Sequence, residues 1–265
     1  MLNKNNESLR FDAGDFAYGT WRILDDETPA TVDELAKRLH NCLECGITTL
    51  DTAEIYGGYL VEEAVGRVLK SHPELREGFK VVTKAGIDVP SAEKRHATLP
   101  HYNATSQNLV HCAEKSLRLL GVDSIDLFLV HRPDWLTSPE DTAASLQKLL
   151  DEGKAKYVGV SNYSIHQFET LDLLLNGQLA TNQVEFGPLE MTRSTMVLSI
   201  NANKRRSGPW PGHRSEVEPC FAIKTVLRNG YGIRSWICLL NMVMLPSTRS
   251  STHGSSRFRP DLLSF

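Results

Sequence analysis

The chain reads as an α/β protein, the front part of a (β/α)₈ barrel whose first six strands are recognisable and whose seventh and eighth are lost. Three observations predict this. Short apolar strands alternate with amphipathic helices from residue 16 to residue 186, the rhythm of a parallel sheet with covered faces. No G-x-G-x-x-G fingerprint follows the first strand, where a doubly wound dinucleotide fold would carry one. After Met191 the alternation stops.

The elements follow in order. Phe16-Ala-Tyr-Gly19 is a short strand. Residues 31–45 are helical, with Val32, Leu35, Leu39 and Leu43 at helical spacing and Gly46 as a stop. Residues 47–50 form a β-branched strand, residues 61–70 a helix, and residues 79–83 a strand. An amphipathic helix over 106–120 ends at Gly121, and the strand 125–130 is almost wholly apolar. Ser138, Pro139 and Glu140 supply cap chemistry to a helix over 138–151, with Gly153 just beyond it. A strand at 157–160, a helix at 165–175 and a sixth strand at 181–186 complete the series. The 265 residues suit one such barrel, which typically takes roughly 250. Residues 1–191 are therefore one domain of six βα units. Residues 192–265 are expected to be a tail with little regular structure.

Composition narrows the function. Hydrophobic residues make up 41% and charged residues 23%, as in a globular protein. The net charge of −3 gives no electrostatic support for nucleic-acid binding. The polar start and the lack of a long apolar run predict no signal peptide and no membrane span, hence a cytoplasmic protein. Five cysteines fit reduced thiols there. Cys42-x-x-Cys45 sits at the end of a helix, whereas reactive pairs sit at helix starts; it reads as two small helix residues, at least one of them packed. No metal-ligand spacing is evident. Without a signal peptide, the glycosylation sequons at Asn6, Asn103 and Asn162 carry no expectation.

Polar residues recur at the C-terminal ends of the strands, where (β/α)₈ enzymes keep their active sites. Asp51, Lys84 and His131 each follow one strand, Ser161 and Asn162 follow another, and Gln183 lies in the sixth. Tyr56 is five positions beyond Asp51 and can fold back over the same mouth. Singly, each has a plain structural reading: a helix cap, a surface lysine, a core histidine. Together, an acid, a lysine, a tyrosine and a histidine converge on one face.

Asp51-Thr-Ala-Glu-Ile-Tyr56-Gly, Lys84, Leu129-Val-His131-Arg-Pro, Gly159-Val-Ser161-Asn162 and Asn182-Gln183-Val-Glu resemble the successive signatures of the aldo-keto reductases, over residues 16–191. The likeness is greatest to their cytosolic NADP-dependent oxidoreductase branch. It implies NADPH-dependent reduction of an aldehyde or ketone to an alcohol. Tyr56 is then the proton donor. Lys84 lowers its pKa, which is ~10 in the free residue, Asp51 orients Lys84, and His131 aligns the substrate oxygen. Ser161, Asn162 and Gln183 bind the nicotinamide carboxamide, with Gly19, Thr20 and Asp51 beside the cofactor. Trp21 and Trp135 are candidate walls of an apolar substrate pocket. No metal is implied, the partner is a small-molecule carbonyl compound, and a folded chain is expected to be monomeric.

Two rival readings share these residues: a non-catalytic regulator of the potassium-channel β-subunit type, and an inactive relic. The tail bears on the second. Read from the third base of the Met191 codon, codon degeneracy allows the string DALHDGTFDQCQQAKVRPMAWSPLGGG, which resembles the family's own continuation through its seventh strand. Residues 192–265 are thus expected to be out of frame. The resemblance implies that the missing motif supplies an aromatic stacked on the nicotinamide and a Ser-Pro-Leu turn at the pyrophosphate.

Overall fold

The computed structural model describes residues 11–25, 31–92, 94, 97–185, 210–212, 222–228 and 234–238, the last three segments as backbone only. In chain order they form β1 (Phe16–Gly19), α1 (Val32–Glu44), β2 (Thr49–Asp51), a 3₁₀ turn (Tyr56–Tyr59), α2 (Val61–Ser71), α3 (Pro73–Gly78) and β3 (Lys80–Ala85). A small antiparallel hairpin of β4 (Ile87–Asp88) and β5 (His101–Tyr102) follows. Then come α4 (Ser106–Leu120), β6 (Ile125–Val130), α5 (Pro139–Asp151), β7 (Ala155–Ser161), α6 (Ile165–Leu174) and β8 (Leu179–Glu185). Beyond Met191 lie β9 (Trp210–Gly212), β10 (Ala222–Arg228) and β11 (Arg234–Cys238).

Helices α1, α4, α5 and α6 begin where the sequence supplies caps. Thr31 with Glu34, and Ser164 with Gln167, form reciprocal capping boxes on α1 and α6. Thr105 and Ser138 accept from the backbone N–H groups of Asn108 and Asp141 at the starts of α4 and α5. The α4 helix stops at Gly121, whose φ of 67° is the left-handed conformation that glycine adopts without a Cβ clash.

Strands β1, β2, β3, β6, β7 and β8 are parallel and adjacent in that order, as a (β/α)₈ barrel requires. Among the described residues the barrel is incomplete. β9 adds parallel to β8, but β10 pairs antiparallel with β1 and β11 antiparallel with β10. The eighth strand of a closed barrel would run parallel to the first. These three short strands are the described part of 192–265; the rest of the segment, for which little regular structure was expected, lies outside the described residues.

Alternation within the strands separates two environments. Leu50, Val81, Phe128, Val130, Val158 and Val160 face the helices, packing with Leu39, Val65, Leu109, Leu146 and Phe168. Ala17, Val82, Leu127, Leu129 and Ala180 form a separate inner cluster, closed at one end by half-buried Phe11 and Tyr157, whose rings meet edge to face. Two residues on from Val82 is Lys84, and two on from Leu129 is His131. The inner apolar layer thus becomes the floor of a polar mouth. Along β8 the parity changes: Val158 and Val160 of β7 pair with Leu179 and Asn182, so β8 carries one extra residue. That residue turns Gln183 toward the mouth opposite Ser161. No helix among the described residues is long and apolar enough to cross a membrane.

Candidate active site

The mouth is built around Lys84, a fully buried lysine at 2% exposure. Its ammonium donates to Asp51 Oδ1 at 2.7 Å, to the Thr52 carbonyl at 2.9 Å and to the Tyr56 hydroxyl at 3.2 Å. Three acceptors use all three of its protons, which is how a buried ammonium stays charged. Burial acts to lower the Lys84 pKa, but Asp51 and Tyr56 outweigh it, and the net shift is upward.

Tyr56 departs from the sequence expectation. Lys84 does favour its phenolate, but burial is the larger influence and the net pKa is raised, so the phenol holds its proton. Arg132, to which the sequence analysis assigned no role, adds a smaller lowering influence. The Tyr56 ring stacks on Trp21 at 6.2 Å between centroids and meets His131 edge-on at 5.9 Å. His131 is held well below its ordinary pKa, first by burial and then by the charges of Lys84 and Arg132, so it is neutral at pH 7. Its Nδ1 is buried without a hydrogen-bond partner among the described residues.

The structure brings together Asp51, Tyr56, Lys84, His131, Trp21 and Gln183. Gln183, 2% exposed, donates to Asp51 Oδ2 at 3.2 Å. Ser161 is buried at the end of β7, and its Oγ accepts from the Asn162 side chain at 2.9 Å. Asn162 has φ 57°, a left-handed conformation in which its backbone N–H reaches the Gln183 carbonyl at 2.8 Å. Gly19 pairs with Asp51 in the sheet. Thr20 is fully buried and gives both its N–H and its hydroxyl to the Asp51 carbonyl, fastening β1 to β2. Trp135 stands apart, 81% exposed, next to Leu136 at 97%.

Several residues escaped the sequence analysis. The Thr52 carbonyl is invisible to any motif, since every residue carries one. Asn182 clamps the backbone after β7, accepting from Tyr163 N–H and donating to its carbonyl. Glu54, inside the Asp51–Tyr56 motif, lies 3.1 Å from the buried ammonium of Lys94. Its signal was there: a Glu at that place, if buried, needs a cation. Cys42 is buried, its thiol pushed up to about 12 chiefly by burial, and Cys45 is exposed, as expected for a structural pair.

Comparison with known proteins accounts for this arrangement. The model of the aldo/keto reductase family matches residues 15–204. A 6-dehydroglucose reductase of Agrobacterium fabrum is 41% identical over 69% of this chain and 61% of its own length. An oxidoreductase of Bacillus subtilis is 40% identical over 70% and 60%. The glycerol dehydrogenase of Gluconobacter oxydans shares the fold at TM-score 0.63 with 29% identity, covering 77% of this chain and 64% of that one. An aldo/keto reductase of Klebsiella pneumoniae in complex with NADP and acetate gives TM-score 0.51 with 28% identity, over 64% of this chain and 53% of that one. The chain spans about three fifths of the length of the curated relatives it matches. With the match covering well over half of its residues and the strand ends carrying Asp51, Tyr56, Lys84 and His131 in one mouth, the chain belongs to the aldo/keto reductase family.

Proposed function

We propose that this barrel is an NADPH-dependent carbonyl reductase that converts an aldehyde or ketone to the alcohol with Tyr56 as proton donor. The observation that carries the reading is the contact of Lys84 with both Asp51 and the Tyr56 hydroxyl in a buried mouth. A reduced nicotinamide, when bound, supplies the hydride.

The residues present fit that group. Ser161, Asn162 and Gln183 gather hydroxyl and amide functions at adjacent strand ends, the mixed donor–acceptor set a primary carboxamide needs. The chain's own residues do the rest. Tyr56 holds its proton because the site is buried and gives it to the carbonyl oxygen. Lys84, charged and fixed by Asp51, stabilises the phenolate left behind. Neutral His131 hydrogen-bonds the carbonyl oxygen and sets its angle. The half-exposed Trp21 ring flanks Tyr56 and offers an apolar face to the substrate. The preference for NADP(H) over NAD(H) rests on the family and on the NADP-bound relative. The small-molecule partner and a monomeric, cytoplasmic enzyme belong to the same reading.

The test is a panel of aldehydes and ketones with NADPH and with NADH, followed by nicotinamide absorbance, alongside direct nucleotide titration. In a barrel closed by its own seventh and eighth strands, Tyr56→Phe should lower turnover by a factor on the order of 10²–10⁴ with nucleotide affinity nearly unchanged. Wild-type turnover in Tyr56→Phe would overturn the assignment.

A further inference from the structure

The sequence shows no metal-ligand spacing, yet the fold assembles one set of donors from three helices. His40 comes from α1, His72 caps the C-terminus of α2, and Glu74 lies in the first turn of α3. Their ligand atoms all lie within 4.8 Å of one another. Glu74 Oε1 is 3.3 Å from His40 Nε2 and 3.2 Å from His72 Nδ1. The two imidazole rings meet edge to face at 5.8 Å. Tetrahedral zinc with bonds of roughly 2.0–2.1 Å places neighbouring donor atoms about 3.3 Å apart. Both measured separations match that edge.

We propose that His40, His72 and Glu74 form a binding site for one zinc-type divalent cation, with solvent completing the coordination. Two imidazole nitrogens and one carboxylate suit zinc and its neighbours and suit poorly the oxygen-seeking calcium and magnesium. The side chains are 43%, 30% and 56% exposed, which leaves a path for the ion. Binding requires the imidazole protons to sit on His40 Nδ1 and His72 Nε2.

The site is remote from the reaction. His40 and Glu74 lie on the helices that run into the starts of β2 and β3, whereas Asp51 and Lys84 lie at the other ends of those strands. The ion therefore acts as a staple among α1, α2 and α3 and takes no part in hydride transfer.

The experiment is calorimetric titration of the full chain with Zn²⁺ at neutral pH. One ion per chain is expected, with a raised melting temperature. His40→Gln and Glu74→Gln should each weaken affinity by at least roughly tenfold, the scale of even outer-shell losses. Glu74→Gln keeps a hydrogen-bond acceptor, so it separates ligation from hydrogen bonding. Cys45→Ser should leave binding intact. Independently of any variant, NMR of ring-labelled histidine in the wild-type chain should show two imidazoles responding together, saturating at one equivalent. No binding at ~1 mM Zn²⁺, unchanged affinity in Glu74→Gln, loss of binding in Cys45→Ser, or a response from other imidazoles would overturn the site.

Discussion

Gln183 donates its side-chain amide to Asp51 Oδ2 at 3.2 Å, across 132 residues of chain. Their strands, β8 and β2, are separated in the sheet by β3, β6 and β7. A flat sheet with strands roughly 4.8 Å apart would hold them about 19 Å from one another. The bond therefore measures how far the sheet has curled: the six parallel strands bend round until opposite ends share one mouth. With Lys84 on Oδ1 and Gln183 on Oδ2, both oxygens of Asp51 are engaged, which fixes the carboxylate plane and with it the ammonium beside Tyr56.

A second buried cation holds the loop behind the mouth. Lys94 lies 2.7 Å from Asp88 and 3.1 Å from Glu54, tying the segment after β4 to the Asp51–Tyr56 loop. Removing it leaves two buried carboxylates short of their counter-charge. Lys94→Met should destabilise by about 3–5 kcal/mol, as for other broken buried pairs. Adding Glu54→Gln should recover part of that loss, since the unpaired charge goes with it. Urea unfolding reads both, and a Lys94→Met variant within ~0.5 kcal/mol of wild type would rule the clamp out.

The sequence made the repeating elements legible and left the local exceptions hidden. Strand-helix alternation placed Asp51, Lys84, His131, Ser161 and Asn162 at strand ends because one period governs every strand. The short α3 escaped, since six residues with only Leu75 buried make no periodic signal. So did β4 and β5, each two residues long. The extra residue in β8 breaks the parity from which Gln183 would be placed. The direction of the Tyr56 shift depends on burial, a tertiary quantity that no motif reports.

Glu62 makes stability depend on pH. It is 1% exposed, accepts from Thr83 at 2.5 Å and Ser116 at 3.0 Å, and has its pKa raised to about 7, chiefly by burial. Between the ordinary glutamate value of 4.5 and about 7 the folded chain keeps a proton that the unfolded chain has released. The unfolded state then binds fewer protons, so stability falls as pH rises through that window. The loss is on the order of 3 kcal/mol and is complete above about pH 7. Glu62→Gln should flatten the profile and be the more stable form at about pH 8. Parallel profiles for the two proteins between about pH 5 and pH 8 would exclude Glu62 as their source.

Helices α2 and α4 cross at Gly66. A Cβ there would stand 1.8 Å from the Leu119 carbonyl oxygen and 2.9 Å from Leu120 Cα. Both obstacles are backbone, so only a shift of one helix can relieve the clash. Gly66→Ala should cost at least ~1–3 kcal/mol despite the better helix propensity of alanine. A thermal melt at or above the wild-type value would show that the helices are not in close contact at this point.

The closing strands decide whether this chain works as written. The family match extends to residue 204, and the alternation of strands and helices ends near Met191. Beyond it, β10 meets β1 antiparallel, where a closed barrel would present a parallel eighth strand. An antiparallel neighbour turns its N-terminal end toward the mouth, so the loop that follows it, the one with which such barrels hold phosphate, leaves from the far end. Reading Met191 onward from the third base permits, within codon degeneracy, a string ending RPMAWSPLGGG, which has the apolar strand and glycine-rich turn such a position needs. The prediction is that residues 192–265 are out of frame. The 265-residue chain should bind nucleotide weakly, aggregate through its unsatisfied edges and reduce carbonyl compounds slowly, whereas a chain carrying the alternative frame should be monodisperse and active. Sequencing the gene and its transcript across the Met191 codon decides the first point; immediate stop codons in the alternative frame would end the idea. Ordinary turnover of NADPH by the purified 265-residue chain would separately refute its inactivity, because a barrel lacking its own closing strands would then have been shown to suffice.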